Sequence, residues 1–157
     1  MATITLQAAR AVNVKDGNIE MYPEAESQSF KAGQFVYMNS GALTVCDTDC
    51  VTFVGMALRD ASGTTGTMIP VVKATAEQEF LMNVYHATPE SAISAWSQVD
   101  GTSTFELIVS SNKCYVDISA TSNAAFLITG MYEGDTVGDT YGRVKVKVIQ
   151  AASQVQG

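Results

Sequence analysis

The sequence predicts a mainly β protein: a compact β-sandwich or β-barrel with one short helix and an extended N-terminal arm. Three observations lead there. Short runs rich in β-branched and aromatic residues recur along the chain, turn-forming residues separate them, and a single stretch, "HATPESAISAWSQVDG", departs from the pattern. The 157 residues amount to one ordinary domain, long enough to bury about two-thirds of the surface its unfolded form exposes.

The opening "TITLQAARAVNVKDGNIEMY" reads as extended and turns at "KDGN", where Asp16-Gly17 is a good hairpin corner because Gly17 accommodates a positive φ. The polar "YPEAESQSFKAG", with Pro23 and no apolar period, reads as a connection. Residues 1–29 are therefore expected as an arm and linker, and residues 30–157 as the β domain. Within that domain "QFVYMN", "LTVC" and "TFVGMAL" are short strands. After the loop "RDASGTTGT" follow "MIPVVKA", "EFLMNVY", "FELIVS", "CYVDIS", "AFLITGMY" and "RVKVKVIQA".

In the exceptional stretch Thr88 is placed to cap a first turn, Pro89 suits the first helical position, and Glu90 suits the helix dipole. Ile93 and Trp96 lie three apart, so a short helix with Trp96 at the centre of its apolar face is expected to close one end of the core. The last strand alternates cleanly: Val144, Val146 and Val148 share one face, while Arg143, Lys145 and Lys147 share a wet face suited to guarding an edge.

Composition bounds the partners. Apolar residues make up 46% and charged residues 16%, below the roughly 25% usual for globular proteins, so part of the surface is expected to meet another protein. A net charge of −7 with nine scattered basic residues repels phosphate backbones and anionic lipid, which excludes nucleic acid and membrane surface as partners. No charged-then-apolar leader opens the chain, so a soluble protein with reduced thiols is expected.

Several residues have chemistry to offer, each beside a plainer reading. Cys46, Cys50, Cys114 and His86 are the right types for a Cys₃His zinc site, but Cys114 and His86 stand apart from any second ligand pair. Cys46 and Cys50 read instead as the ends of two strands around the turn Asp47–Asp49. His86 with Ser91 or Ser94 and Asp100 has triad chemistry without a nucleophile-elbow motif. Asp47, Asp49 and Asp60, or Glu133, Asp135 and Asp139, are oxygen-rich, but neither set has EF-hand spacing. "ASGTTGT" lacks a phosphate-loop lysine and precedes a strand. The expectation is a protein with no catalytic residues, no metal and no cofactor. Tyr37, Tyr85, Tyr132 and Tyr141 keep open a carbohydrate-binding sandwich, and His86 a hydrolase.

One pattern points further. "FKAGQFVYMNSGALTV" followed by "FVGMALRDASGTTGTMIPVV" places Lys31, Gly33, Phe35, Val36, Gly41, Val54, Gly55, Ala57, Ile69 and Val71 in the order lysine-glycine turn, apolar strand, glycine turn, glycine-containing strand, variable loop, strand. This resembles the bacteriophage capsid decoration, or head-stabilising cement, proteins. Gln34 stands where that family often has an acidic residue, and the stretch around Trp96 has no counterpart in the pattern. The resemblance implies a β-barrel or β-tulip-like fold with an N-terminal arm. It also implies a virion protein made in the host cytoplasm that sits as a homotrimer on the capsid exterior and binds the major capsid protein. Another phage component, from tail, neck or fibre base, is the runner-up.

The arm supplies the expected contact. Ile4, Leu6, Val12 and Val14 occupy even positions, so an extended chain puts them on one face. Such a strand gains by joining a sheet edge, on the capsid or on an adjacent protomer, or by forming the first strand of its own domain; each side chain contributes on the order of 1.5–3 kcal/mol if fully buried.

Overall fold

The computed structural model describes residues 2–86 and 92–156. Among them eleven strands form: β1 (Arg10–Val12), β2 (Ile19–Pro23), β3 (Phe35–Asn39), β4 (Ala42–Val45), β5 (Gly55–Ala57), β6 (Met68–Lys73), β7 (Glu79–Asn83), β8 (Thr104–Ser110), β9 (Lys113–Asp117), β10 (Phe126–Met131) and β11 (Arg143–Val148). They build two antiparallel sheets, ordered β1-β7-β11-β10-β8-β9 and β2-β6-β5-β3-β4. The sheets pack together as a β-sandwich and do not close into a barrel. Both sheets curl: a parallel bridge from Glu24 to Leu43 joins the two end strands of the five-stranded sheet, and one from Val84, just after β7, to Val116 links β7 to the end strand β9 in the other.

Strand alternation separates two cores. On the five-stranded sheet Phe35, Met56 and Val72 face the other sheet and meet Phe80, Phe126 and Val146 in the main core. Phe35 sits at its centre, its ring centroid 5.0 Å from Phe80, 5.3 Å from Phe126 and 5.4 Å from Phe53. The alternate residues Val36, Leu43, Ala57, Ile69 and Val71 face the other way and are covered by Phe30. Aromatic and aliphatic side chains buried this fully contribute about 1.5–3 kcal/mol each.

Three expectations change in detail. β11 shows the anticipated alternation, with Val144, Val146 and Val148 buried. It is an interior strand between β7 and β10, however, so its basic residues cover an outer face and guard no edge. The chain does turn at Asp16-Gly17, where the Asn18 N–H donates to the Lys15 carbonyl at 3.1 Å and Gly17 has φ +82°. The strands on either side do not pair as a hairpin: β1 joins β7, and β2 joins β6 of the other sheet. The segment expected as arm and linker thus contributes one strand to each sheet.

Among the described residues of the exceptional stretch, a 3₁₀ turn forms at Trp96–Gln98. Ala95 is extended (φ −152°, ψ 147°), so Ile93 and Trp96 are not stacked on one helical face. Ile93 is fully buried, whereas Trp96 is 64% exposed and closes no core. The Gln98 side chain holds the turn by accepting the N–H groups of Ser94 (2.7 Å) and Ala95 (3.1 Å). Thr88, Pro89 and Glu90 lie outside the described residues.

Candidate interaction surface

The N-terminal segment lies along the edge of the six-stranded sheet. Ile4 donates its N–H to the Thr140 carbonyl (2.8 Å), Thr140 donates back to Ala2 (2.9 Å), and β1 pairs with β7 from Arg10↔Leu81 to Val12↔Glu79. Ile4, Leu6 and Val12 are half-buried and Val14 is 40% exposed. Asn13, at φ +55°, breaks the extended alternation between Val12 and Val14, so the four do not share one flat face.

Val14 instead joins a different apolar surface. It lines an open groove of about 340 Å³ with Ala9, Ala11, Ile19, Leu58 and Val72, between β1 and the five-stranded sheet. Register extends this surface. Ile19 pairs with Val72, Met21 with Pro70 and Pro23 with Met68, all on the face that elsewhere meets the main core. Leu58 donates its N–H to the Pro70 carbonyl (2.9 Å) and continues the same face. This end of the sheet therefore overhangs its partner sheet. Five of the seven large apolar residues exposed among the described ones, Val14, Ile19, Met21, Leu58 and Met68, belong to this strip. Singly scattered apolar side chains are ordinary, but their clustering on one sheet face makes this strip the candidate interaction surface. Sequence reasoning reached Val14 alone, because only the β2–β6 register shows that Ile19 and Met21 lie beyond the cover of the other sheet.

The other candidate residues resolve into local structure. His86 has Asp117 and Ser119 as partners, neither of them expected: Nδ1 lies 3.3 Å from Asp117 Oδ1 and 3.1 Å from Ser119 Oγ, and Ser119 donates to Asp117 at 2.6 Å. A relay needs nucleophile and orienting carboxylate on opposite ring nitrogens, and here both address Nδ1. Asp100 is elsewhere, accepting from Thr102, and Ser91 lies outside the described residues. The three cysteines approach one another without His86, and no group of three His, Cys, Asp or Glu among the described residues has metal-holding geometry.

The carboxylates are taken up in the same way. Asp60 accepts the Ala32 N–H (2.8 Å), Asp139 accepts those of Ala2 (3.1 Å) and Thr136 (2.9 Å), and Asp135 is held by Arg143. The glycine loop after β5 does cradle an anion, the chain's own Glu24. This fully buried carboxylate accepts the Ser62 hydroxyl (2.6 Å) and the N–H groups of Ser62 (2.9 Å) and Gly63 (3.1 Å). Burial pushes its pKa up, but these donors outweigh burial and hold it below the ordinary value. The four candidate tyrosines do not gather in one place: Tyr85 packs on Tyr115 and Tyr141, whereas Tyr132 lies 4.2 Å from the Arg143 guanidinium and Tyr37 borders a separate cleft.

The fold and this surface define a two-sheet antiparallel β-sandwich with an overhanging apolar face. No family model matches the chain, and no curated protein matches it.

Proposed function

We propose that the chain is a structural virion protein that decorates and stabilises the exterior of a phage capsid by binding the major capsid protein, with copies of the chain associating as a homotrimer. The apolar strip of Val14, Ile19, Met21, Leu58 and Met68 carries this reading, because a protein with 16% charged residues and a clustered apolar face gains stability by covering that face with protein. The residues of the decoration-protein pattern give further support. Phe35, Val36, Gly55, Ala57, Ile69 and Val71 fall on three adjacent strands of the sheet that carries the strip. Gly33 and Gly55 are where backbone approaches backbone: an added Cβ would lie 2.7 Å from the Ala9 carbonyl oxygen and 1.9 Å from that of Val72.

Co-sedimentation with capsids of the parent phage tests the proposal. The wild-type chain is expected to pellet with capsids, and the double variant Ile19→Lys, Met21→Lys to stay in the supernatant while melting normally. Binding to isolated tails and not to capsids would favour the alternative of a tail, neck or fibre-base component. Binding to neither would remove the virion reading.

A further inference from the structure

Cys46 and Cys50 meet in an arrangement that strand ends alone do not require. The Cys50 N–H donates to the Asp47 carbonyl (3.1 Å), and this turn brings Cys50 back beside Cys46. Both thiols then donate to one acceptor, the Thr52 carbonyl, at 3.3 Å from Cys46 Sγ and 3.1 Å from Cys50 Sγ. The two differ in access. Cys46 is fully buried, whereas Cys50 is half-buried and lines an open cleft of about 370 Å³ with Tyr37, Val45, Asp47, Thr48 and Asp49. Cys114, the third thiol of the cluster, is fully buried.

We propose that Cys46 and Cys50 form a reversible dithiol–disulfide site that exchanges with small cationic disulfides entering this cleft. Protonation behaviour agrees with the division of labour. The hydrogen bond with the Cys46 thiol holds Cys50 below the ordinary thiol value, while burial pushes Cys46 well up and Cys114 up to about 12. Thiolate is the attacking species, so the accessible Cys50 reacts first. Its sulfur attacks one sulfur of RSSR, forming Cys50–S–SR and releasing RS⁻, which leaves as RSH with the Cys50 proton. The Cys46 sulfur then attacks the Cys50 sulfur, displacing the second RS⁻, which takes the Cys46 proton. The protein gives up two electrons and two protons, and the small disulfide is reduced to two thiols. Asp47 and Asp49 border the cleft and the chain carries net charge −7, so a cationic disulfide is favoured over an anionic one.

The ring so closed would pin the turn that ties the two sheets. The Asp49 N–H donates to the Leu107 carbonyl (2.9 Å), and the Val109 N–H donates to Thr48 Oγ1 (3.0 Å).

The test treats the folded chain with cystamine, quenches with acid, alkylates remaining thiols and maps the products by mass spectrometry. The expected product is lighter by two hydrogens, with the loss confined to the tryptic peptide Ala32–Arg59, reversal by dithiothreitol, and Cys114 alkylated only after denaturation. Cys46→Ser is expected to stop at one cysteamine adduct on Cys50, and Cys50→Ser to give no product. Oxidised glutathione should react more slowly at low salt; equal rates would overturn the charge preference. An unchanged wild-type mass, an adduct that persists on Cys50, or a Cys46–Cys114 link would each overturn the site. These outcomes are read on the wild-type chain, so they stand even where a variant fails to fold.

Discussion

The side-chain oxygen of Asn83 accepts the Gln7 N–H at 2.9 Å, and the same buried amide donates to the carbonyls of Thr5 (3.1 Å) and Tyr141 (2.7 Å). One side chain on β7 thus satisfies three backbone groups from two segments that no regular ladder reaches. Replacing Asn83 with Ala leaves all three without that partner, which is expected to cost roughly 1–3 kcal/mol. Amide exchange at Gln7 should rise well above that of β1, because Arg10–Val12 keep their pairing with β7. Unchanged exchange at Gln7 would show that the clamp is not what holds this segment.

Gly55 is required for closeness and not for backbone sign. A Cβ there would lie 1.9 Å from the Val72 carbonyl oxygen and 2.9 Å from Lys73 Cα, both backbone atoms that cannot move aside cheaply. Gly55→Ala must therefore pry β5 from β6, and is expected to cost about 3 kcal/mol or more. Gly130 is the matched control, since a Cβ there meets only the Lys145 side chain, at 3.6 Å. Urea denaturation of the two variants should separate them; equal midpoints would contradict the close approach.

How far such features can be read from sequence follows from their range. The alternation of Val144, Val146 and Val148, and the turn at Asp16-Gly17, depend on neighbours a few residues away and were legible. Whether β1 and β2 pair with each other or part to different sheets depends on competition from β7 and β6, distant strands whose pull no local pattern encodes. Trp96 misled because the three-residue spacing to Ile93 implies a shared face only if the intervening chain is helical, and Ala95 is extended. Of the candidate interaction surface, Val14 was legible only as one of the even-position apolar residues of the arm. The overhang of Ile19, Met21 and Met68 was not, since it is fixed by how far one sheet reaches over the other. Glu24, likewise, reads as a solvated loop residue until the glycine turn at Ser62-Gly63 closes around it.

That carboxylate makes stability depend on pH. Glu24 is held below its ordinary value of 4.5, so the unfolded chain binds this proton more readily than the folded one. Its contribution is fully present above about pH 4.5 and is lost as pH falls through the lower folded value. Glu24→Gln keeps the shape but sets an amide N–H₂ against a donor, costing about 1–3 kcal/mol at neutral pH. The variant's melting temperature is expected to fall less than the wild type's between pH 6 and pH 3. Parallel curves in calorimetry would mean that Glu24 does not titrate differently on folding.

Asp135 and Arg143 offer the sharper form of the same test. Arg143 donates from Nε to Asp135 Oδ2 (2.9 Å) and from Nη2 to Oδ1 (2.8 Å), and its backbone N–H adds a third bond to Oδ2 (2.8 Å). The Asp135 side chain is 2% exposed, and the Arg143 side chain is 22% exposed. The guanidinium hydrogen bonds hold the Asp135 carboxyl below its ordinary 3.8, against the opposing effect of burial. Arg143→Ala leaves a buried carboxylate with one remaining donor, and is expected to cost about 2–4 kcal/mol at pH 7, less than for a pair removed entirely from water. Without the cation, burial dominates and the Asp135 carboxyl rises, so the variant's folded state takes up a proton where the wild type's does not. The difference in stability between wild type and Arg143→Ala should therefore shrink as pH falls from 7 towards 3, while the loss of packing on Tyr132 persists throughout. Denaturant titrations at the two pH values measure that difference directly, and a gap that stays constant would assign the whole effect to packing.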